Sequence, residues 1–161
     1  MEGLGRYGSL LERGADHLQW FLAVAYEAMR DFDLFAAYSY FYFAAASFGE
    51  VSQRLLPAPA GGGWAWEGFL GSSDPVVREA LDRVRTALRE IPAGPADAPA
   101  RRDFENAVRS AIAPRNLAGL ADPARRRLYT VDLEALVEGA GLLGLTGEEI
   151  RRELPRLRGA R

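Results

Sequence analysis

One segment constrains the fold more than any other, because the run from Leu34 to about Leu56 is apolar at helical spacing on every face. About half of the chain's aromatic residues lie between Phe32 and Phe48. A helix that is apolar all round is buried all round. The sequence therefore predicts a helix over 34–56, with Asp33 as its N-cap, at the centre of a bundle or of an interface.

Helical periodicity continues on both sides of this segment. Leucines and alanines recur every seven residues from Leu4 to Ala25, but several glycines weaken the first half. We expect a firm helix over about 16–30, preceded by a frayed or separate segment. Asp74 and Pro75 are a typical N-cap and first helical residue, which predicts a helix over 75–91 that Pro92 ends.

The rest of the chain predicts shorter helices. Residues 92–100, PAGPADAPA, are typical of a flexible Pro/Ala linker between a helical core at 1–91 and a short-helix unit at 101–161 packed on that core. Thr146 to Glu149 form a capping box for a last helix that we expect Pro155 to close. No segment alternates as a strand does. The predicted fold is all-α, a compact bundle of four to six helices with an aromatic-rich central helix.

Composition excludes several kinds of chemistry. The chain has no cysteine and one histidine, which excludes disulfides, thiolate metal sites and thiol nucleophiles. All 20 basic residues are arginine, so Schiff-base chemistry and a P-loop lysine are also excluded. His17 has the features of a surface histidine, and Glu27 with Asp31 is explained by solvation and capping. We therefore expect no cofactor, no metal and no catalytic residue, which favours a protein that is not an enzyme.

The sequence also bears on location. Residues 1–14 are polar and glycine-rich, unlike a signal peptide. The least polar run, Leu34 to Phe48, is shorter than the ~20 residues that a bilayer span needs. We expect a cytoplasmic protein with no membrane span.

Aromatic side chains supply the candidate binding residues. Tyrosine hydroxyls on a buried helix need polar partners, which could come from the core, a second subunit or a ligand. Tryptophans in a glycine-rich loop could fold over the core or anchor a partner. The candidate ligand or interface residues are Phe35, Tyr38, Tyr40, Tyr42, Phe43, Trp64 and Trp66.

Arginines in the second half form a separate candidate. Arg125, Arg126 and Arg127 are candidates for an anionic partner, although few aromatic residues accompany them and acids are interspersed, which is typical of a solvated face.

These observations favour a non-enzymatic helical interaction protein, either a homo-oligomer or an accessory subunit of a larger assembly. The alternative is a small-molecule binder with a hydrophobic pocket walled by Phe35, Tyr38, Tyr42 and the Trp64/Trp66 loop. Nucleic-acid binding through the arginine-rich half is the weaker alternative, because the net charge of -2 disfavours a polyanion ligand.

Overall fold

A computed structural model of the chain describes residues 2–55, 70–94, 96–117, 119 and 133–159, with the backbone alone at 2–11, 13 and 156–159. These ranges contain helices and turns but no strand. The helices are α1 (Glu2–Ala28), α2 (Phe32–Leu55), α3 (Pro75–Glu90), α4 (Ala98–Ile112), α5 (Leu133–Glu138) and α6 (Gly147–Gly159). Short 3-10 segments lie at Ala113–Arg115 and Gly139–Leu143. The predicted all-α bundle is confirmed.

Helix α2 supplies the middle of the core. Its buried residues follow one stripe that includes Leu34, Phe41 and Phe48. Helices α1 and α4 pack on α2 with their apolar faces, and α3 packs on α1 and α4 on the far side of the core. The largest fully buried side chains from these three helices are Phe21, Val24, Val77, Leu81, Leu88, Phe104 and Ile112.

The first helix is longer than predicted. The sequence suggests a frayed segment before residue 16, but α1 runs without a break from Glu2 to Ala28. Each interior glycine costs about 1 kcal/mol against alanine yet leaves helical dihedral angles accessible. Extending an existing helix needs no new nucleus, so the glycines weaken this half without interrupting it.

The predicted linker is also shorter in the structure. Helix α4 begins at Ala98, inside the 92–100 segment, and Asp97 caps it by accepting the Ala100 N–H at 2.8 Å. The sequence places this helix in the C-terminal unit packed on the core, and the helix packs on α2 and α3. The proline content of 92–100 suggests a linker throughout, but a proline in the first turn of a helix is compatible with that helix. The composition therefore does not reveal that α4 begins within this segment.

Helices α5 and α6 pack on each other and on the 3-10 segment between them. Their residues Leu136, Leu143 and Ile150 join the main core, so the C-terminal helices lie against the bundle. No described helix combines the length and the mean hydropathy that a bilayer span requires.

Two predicted capping motifs are confirmed, and the predicted end of the last helix is wrong. Asp74 accepts the Val76 and Val77 N–H groups at 2.7 and 3.2 Å, which confirms the N-cap of α3. Thr146 and Glu149 exchange side-chain and backbone hydrogen bonds, which confirms the capping box. The prediction that Pro155 closes α6 is wrong, because the helix continues to Gly159. A proline inside a helix removes one N–H donor and crowds the carbonyl four residues earlier, which can bend a helix without ending it, and Pro155 is at an exposed position.

Candidate interaction surface

The turn between α1 and α2 determines where α2 begins and holds these helices to α3 and α4. The sequence suggests Asp33 as the cap of α2, but Asp31 is the cap: its Oδ1 accepts the Asp33 and Leu34 N–H groups at 2.9 and 3.3 Å. Helix α2 therefore begins at Phe32, two residues earlier than predicted. This leaves the Phe32 side chain 81% exposed at the first position of the helix.

Two neighbouring side chains fix this turn to the later helices. Arg30 Nη2 donates to the carbonyls of Leu88 and Ile91 at 3.3 and 3.0 Å, which are the last carbonyls of α3 and its C-cap. Oδ2 of Asp31 accepts the Ala96 N–H at 3.2 Å and the guanidinium of Arg101. Burial raises the pKa of Asp31, but hydrogen bonds from Arg101 and from backbone N–H groups outweigh it and leave the pKa below its usual value.

The outward side of α2 carries no charge from Phe32 to Ala46, and the Glu50–Arg54 ion pair follows in its last turns. With 100° between successive residues, one sector about 120° wide lies opposite the buried stripe. Phe32 and Tyr42 on it are 81% and 40% exposed, and the other members are half-buried. No charged residue occurs from Leu34 to Gly49. The sector comprises Phe32, Phe35, Ala36, Ser39, Tyr42, Phe43 and Ala46.

Helix α1 extends this surface. Leu22, Tyr26 and Met29 follow the i, i+4, i+7 spacing of one helix face and are 47%, 69% and 55% exposed. On α1, the Trp20 ring lies under Arg85 of α3, and Phe21 packs against Phe41 of α2.

Because Trp20 faces α3 and Phe21 faces α2, the direction of the exposed stripe of α1 follows from the helix geometry. Leu22, Tyr26 and Met29 point away from α3 and lie beside the outward side of α2. We name the sector of α2 together with Leu22, Tyr26 and Met29 the α1–α2 outer face. The three α1 residues are not among the candidates predicted from the sequence, although their spacing outside the core stripe indicates an exposed apolar face.

The three candidate tyrosines lie in three different surroundings. Tyr38 is 2% exposed, and its hydroxyl donates to the Phe21 carbonyl at 2.8 Å. Burial, and then the neighbouring Tyr42, raise the pKa of Tyr38 far above its usual range. Tyr40 is half-buried towards α4, with the Arg109 guanidinium 4.5 Å from its ring centre. Tyr42 is on the outer face, with its ring centre 5.3 Å from that of Phe43.

The aromatic pocket that the sequence suggested stays a prediction, because its Trp64/Trp66 wall lies outside the described residues. Of its other residues, Tyr38 is inside the core and Tyr42 is at the surface. Phe35 is half-buried and packs against the core. Trp64 and Trp66 lie outside the described residues, as do Arg125, Arg126 and Arg127.

A groove of about 360 Å³ lies between α2 and α4. Its apolar lining is Ala36, Ala37, Tyr40 and Ala98, and its charged lining is Asp33, Arg101, Arg102 and Glu105. Arg101 is bound to Asp31 at 2.8 Å and to Asp33 at 3.1 Å. Only Tyr40 among the candidate residues lines this groove, so it differs from the aromatic-lined pocket expected from the sequence.

His17 is buried, contrary to the expected surface position. Its exposure is 6%, and its Nε2 lies 3.1 Å from the Leu70 carbonyl. Burial lowers the pKa of His17, and Arg78 adds to that effect while the bond to Leu70 opposes it. A neutral imidazole protonated at Nε2 donates this bond. The histidine thus holds the chain at Leu70, just before α3, against the middle of α1.

Carboxylates elsewhere are committed to structural partners. Asp31 and Asp33 share Arg101, Asp74 contacts Arg115 at 2.8 Å, and Glu50 contacts Arg54 at 2.6 Å as an i,i+4 pair. Within the described part of the chain, no group of three or more acidic or histidine side chains could hold a metal ion.

Comparison with known proteins adds no relative. No family model, no curated protein and no solved structure matches the chain.

Proposed function

We propose that this chain is a non-enzymatic helical interaction protein of the cytoplasm, acting as a homo-oligomer or as an accessory subunit of a larger assembly. The observation that carries the proposal is the α1–α2 outer face. It places large apolar side chains in solvent on two adjacent helices and has no charge along the α2 sector.

The size of this face supports docking. Aromatic side chains carry about 150–250 Å² each, so Tyr26, Phe32 and Tyr42 together leave roughly 300–450 Å² exposed at their fractional exposures. Leu22 and Met29, about half exposed, enlarge the patch. The largest apolar patch of a typical monomer is about 300–600 Å² and is often functional, and a standard interface covers about 800 Å² per partner.

Composition points the same way. The cores of protein interfaces are enriched in Tyr, Phe and Met and depleted of charge, and the α1–α2 outer face has both properties. Small-molecule binding is less well supported, because ligand sites are concave and the groove between α2 and α4 has a largely charged rim. Nothing in the described residues favours nucleic-acid binding.

Phe32→Glu tests the proposal. An acidic residue in the first turn of a helix is favourable, so the fold of this variant should survive. The measurement is native mass spectrometry of the protein purified from its own cells, with far-UV circular dichroism to confirm helicity. We expect the wild type to carry further subunits that Phe32→Glu loses.

The matched control is Leu142→Glu, which places the same charge at an apolar residue that is 38% exposed in the C-terminal helices. It should keep the assembly of the wild type. A wild-type protein that is a bare monomer would contradict the proposal, as would equal loss of subunits in both variants.

A further inference from the structure

We propose that the occupant of the α1–α2 outer face is a second copy of this chain, whose α2 runs antiparallel to the first across a twofold axis at Ser39. This inference rests on the proposed function and names its partner. It follows from the charge, the residue order and the residue sizes of the α2 sector.

The absence of charge favours self-association. Across a twofold axis each surface patch meets its own copy, so any charge near the axis lies close to a like charge. The α2 sector has no charged residue from Leu34 to Gly49 and meets no such repulsion. Homodimer interfaces are also more apolar than interfaces between transient partners. An uncharged face is therefore more typical of self-association than of recognition of a foreign protein.

The order of residues in the sector is self-complementary. In an antiparallel pair centred on Ser39, residues at equal distances before and after it oppose each other. Phe35 then faces Phe43, four residues to either side, as an aromatic pair. Ala36 faces Tyr42 and Phe32 faces Ala46, so a large side chain meets a small one in both cases. The offsets of three, four and seven residues keep every member on one helix face.

The small residues allow the helices to approach closely. Ser39 is half-buried, and its hydroxyl donates to the Phe35 carbonyl at 2.9 Å, so its polar group is satisfied within its own helix. Helices that meet at small side chains can pack within the usual 8–10 Å range of interaxial distances. Leu22, Tyr26 and Met29 border the same surface and widen the contact.

The test uses the absence of native cysteine, which makes a single introduced thiol a unique probe. For interaxial distances of 8–10 Å and a Cα radius of 2.3 Å, the two facing Cα atoms of residue 39 lie about 3.4–5.4 Å apart. A disulfide needs Cα atoms about 4.4–6.8 Å apart, so interaxial distances of about 9 Å and above allow it. We expect Ser39→Cys to form a covalent dimer on mild oxidation at micromolar protein, read by non-reducing electrophoresis.

The control is Ser110→Cys, an equally conservative change at an exposed position of α4. Residues held together react at an effective concentration in the millimolar range, so Ser39→Cys should couple at least about ten-fold faster than this control. Equal rates in the two variants would overturn the second-copy inference.

A mixture of Phe32→Cys and Ala46→Cys proteins tests the pairing itself. The proposed pairing predicts cross-linking between the two variants in preference to either with itself, and no preference would contradict it. Failure of the inference is distinguishable from failure of the proposed function. A foreign subunit at fixed stoichiometry, lost in Phe32→Glu, would overturn the second copy and keep the docking surface, whereas a bare monomer would overturn both.

Discussion

Asp31 and Arg101, 70 residues apart in the chain, meet where the Nε and Nη2 groups of the guanidinium donate to one carboxylate oxygen at 3.2 and 2.8 Å. The other oxygen of the same carboxylate caps α2. With the Ala96 N–H also bound at 3.2 Å, one side chain joins the start of α2, the α3–α4 connection and α4. Asp31 is thus the polar junction of the four-helix core.

Replacing Asp31 should destabilise the fold more than replacing its neighbour. Asp31→Ala removes the cap of α2 and leaves the Ala96 N–H and Arg101 without their acceptor. Asp33→Ala removes only the 3.1 Å contact of an exposed carboxylate with Arg101. We expect Asp31→Ala to lower the thermal midpoint by several degrees and at least twice as far as Asp33→Ala, measured by circular dichroism. Equal decreases would contradict the central position of Asp31.

His17 should make stability depend on pH near neutrality. It is the chain's one histidine, and its pKa in the folded protein lies below the ordinary value of 6.5. The unfolded chain therefore binds a proton more strongly than the folded chain does. The contribution of His17 is fully present above about pH 6.5 and decreases as pH falls through that value towards the folded pKa.

The measurement is urea unfolding at pH 7.5 and pH 5.5. The wild type should have the lower midpoint at pH 5.5. His17→Gln retains an N–H donor for the Leu70 carbonyl but does not titrate, so its midpoint should change less between the two conditions. An identical pH dependence in the two proteins would show that His17 does not contribute.

Two glycines should respond in opposite directions to alanine. Gly71 has a φ of +71°, and a Cβ there would lie 2.8 Å from Cγ2 of Val77 in the core. Gly14 lies inside α1, where a Cβ would meet nothing within 4 Å. We expect Gly71→Ala to lower the free energy of unfolding by more than about 1 kcal/mol and Gly14→Ala to raise it by about 0.5–1 kcal/mol. Chemical denaturation of both variants checks this, and a stable Gly71→Ala protein would contradict the close packing.

Tyr38→Phe should lower the free energy of unfolding more than Tyr42→Phe, because Tyr38 is in the core and Tyr42 is at the surface. It removes the hydroxyl bonded to the Phe21 carbonyl and should lower the free energy of unfolding by about 1 kcal/mol. Tyr42→Phe, at a side chain already 40% exposed, should change it by much less. Urea denaturation measures both, and sedimentation velocity should find the assembly size of Tyr38→Phe unchanged. A change in assembly size would place Tyr38 at an interface instead.

Local features of the fold could be predicted because their partners are close in sequence. The Asp74 cap bonds residues two and three positions away, and Thr146 bonds Glu149. The large buried stripe of α2 followed from its composition, but the expectation that this helix is buried on every face is wrong, because Phe32 and Tyr42 are 81% and 40% exposed. The sequence underestimates the length of α1, because glycine content alone does not account for the cooperative extension of an established helix.

Other features depend on residues far apart in the chain. Burial of His17 requires Leu70, and the selection of Asp31 over Asp33 as the cap accompanies bonds to Ala96 and Arg101. A single sequence does not show which distant residues will hydrogen-bond to His17 or Asp31 in the folded chain. The candidate surface was predicted in part: the α2 aromatics were selected, but which of them face outward depends on where α1 and α4 dock.

The turn between α1 and α2 also bears on the order of events in folding. Arg30 and Asp31 bond to groups 58 to 70 residues away, so these hydrogen bonds close only after α3 and α4 have reached the hairpin. Closing long loops early is entropically costly, whereas the i,i+4 pairs Glu50–Arg54 and Glu79–Arg83 close within a single helix. Bonds that form after the transition state act mainly on the rate of unfolding. We therefore expect substitutions at Arg30 or Asp31 to raise the rate of unfolding more than they lower the rate of folding, so this turn would determine how long the assembled bundle persists.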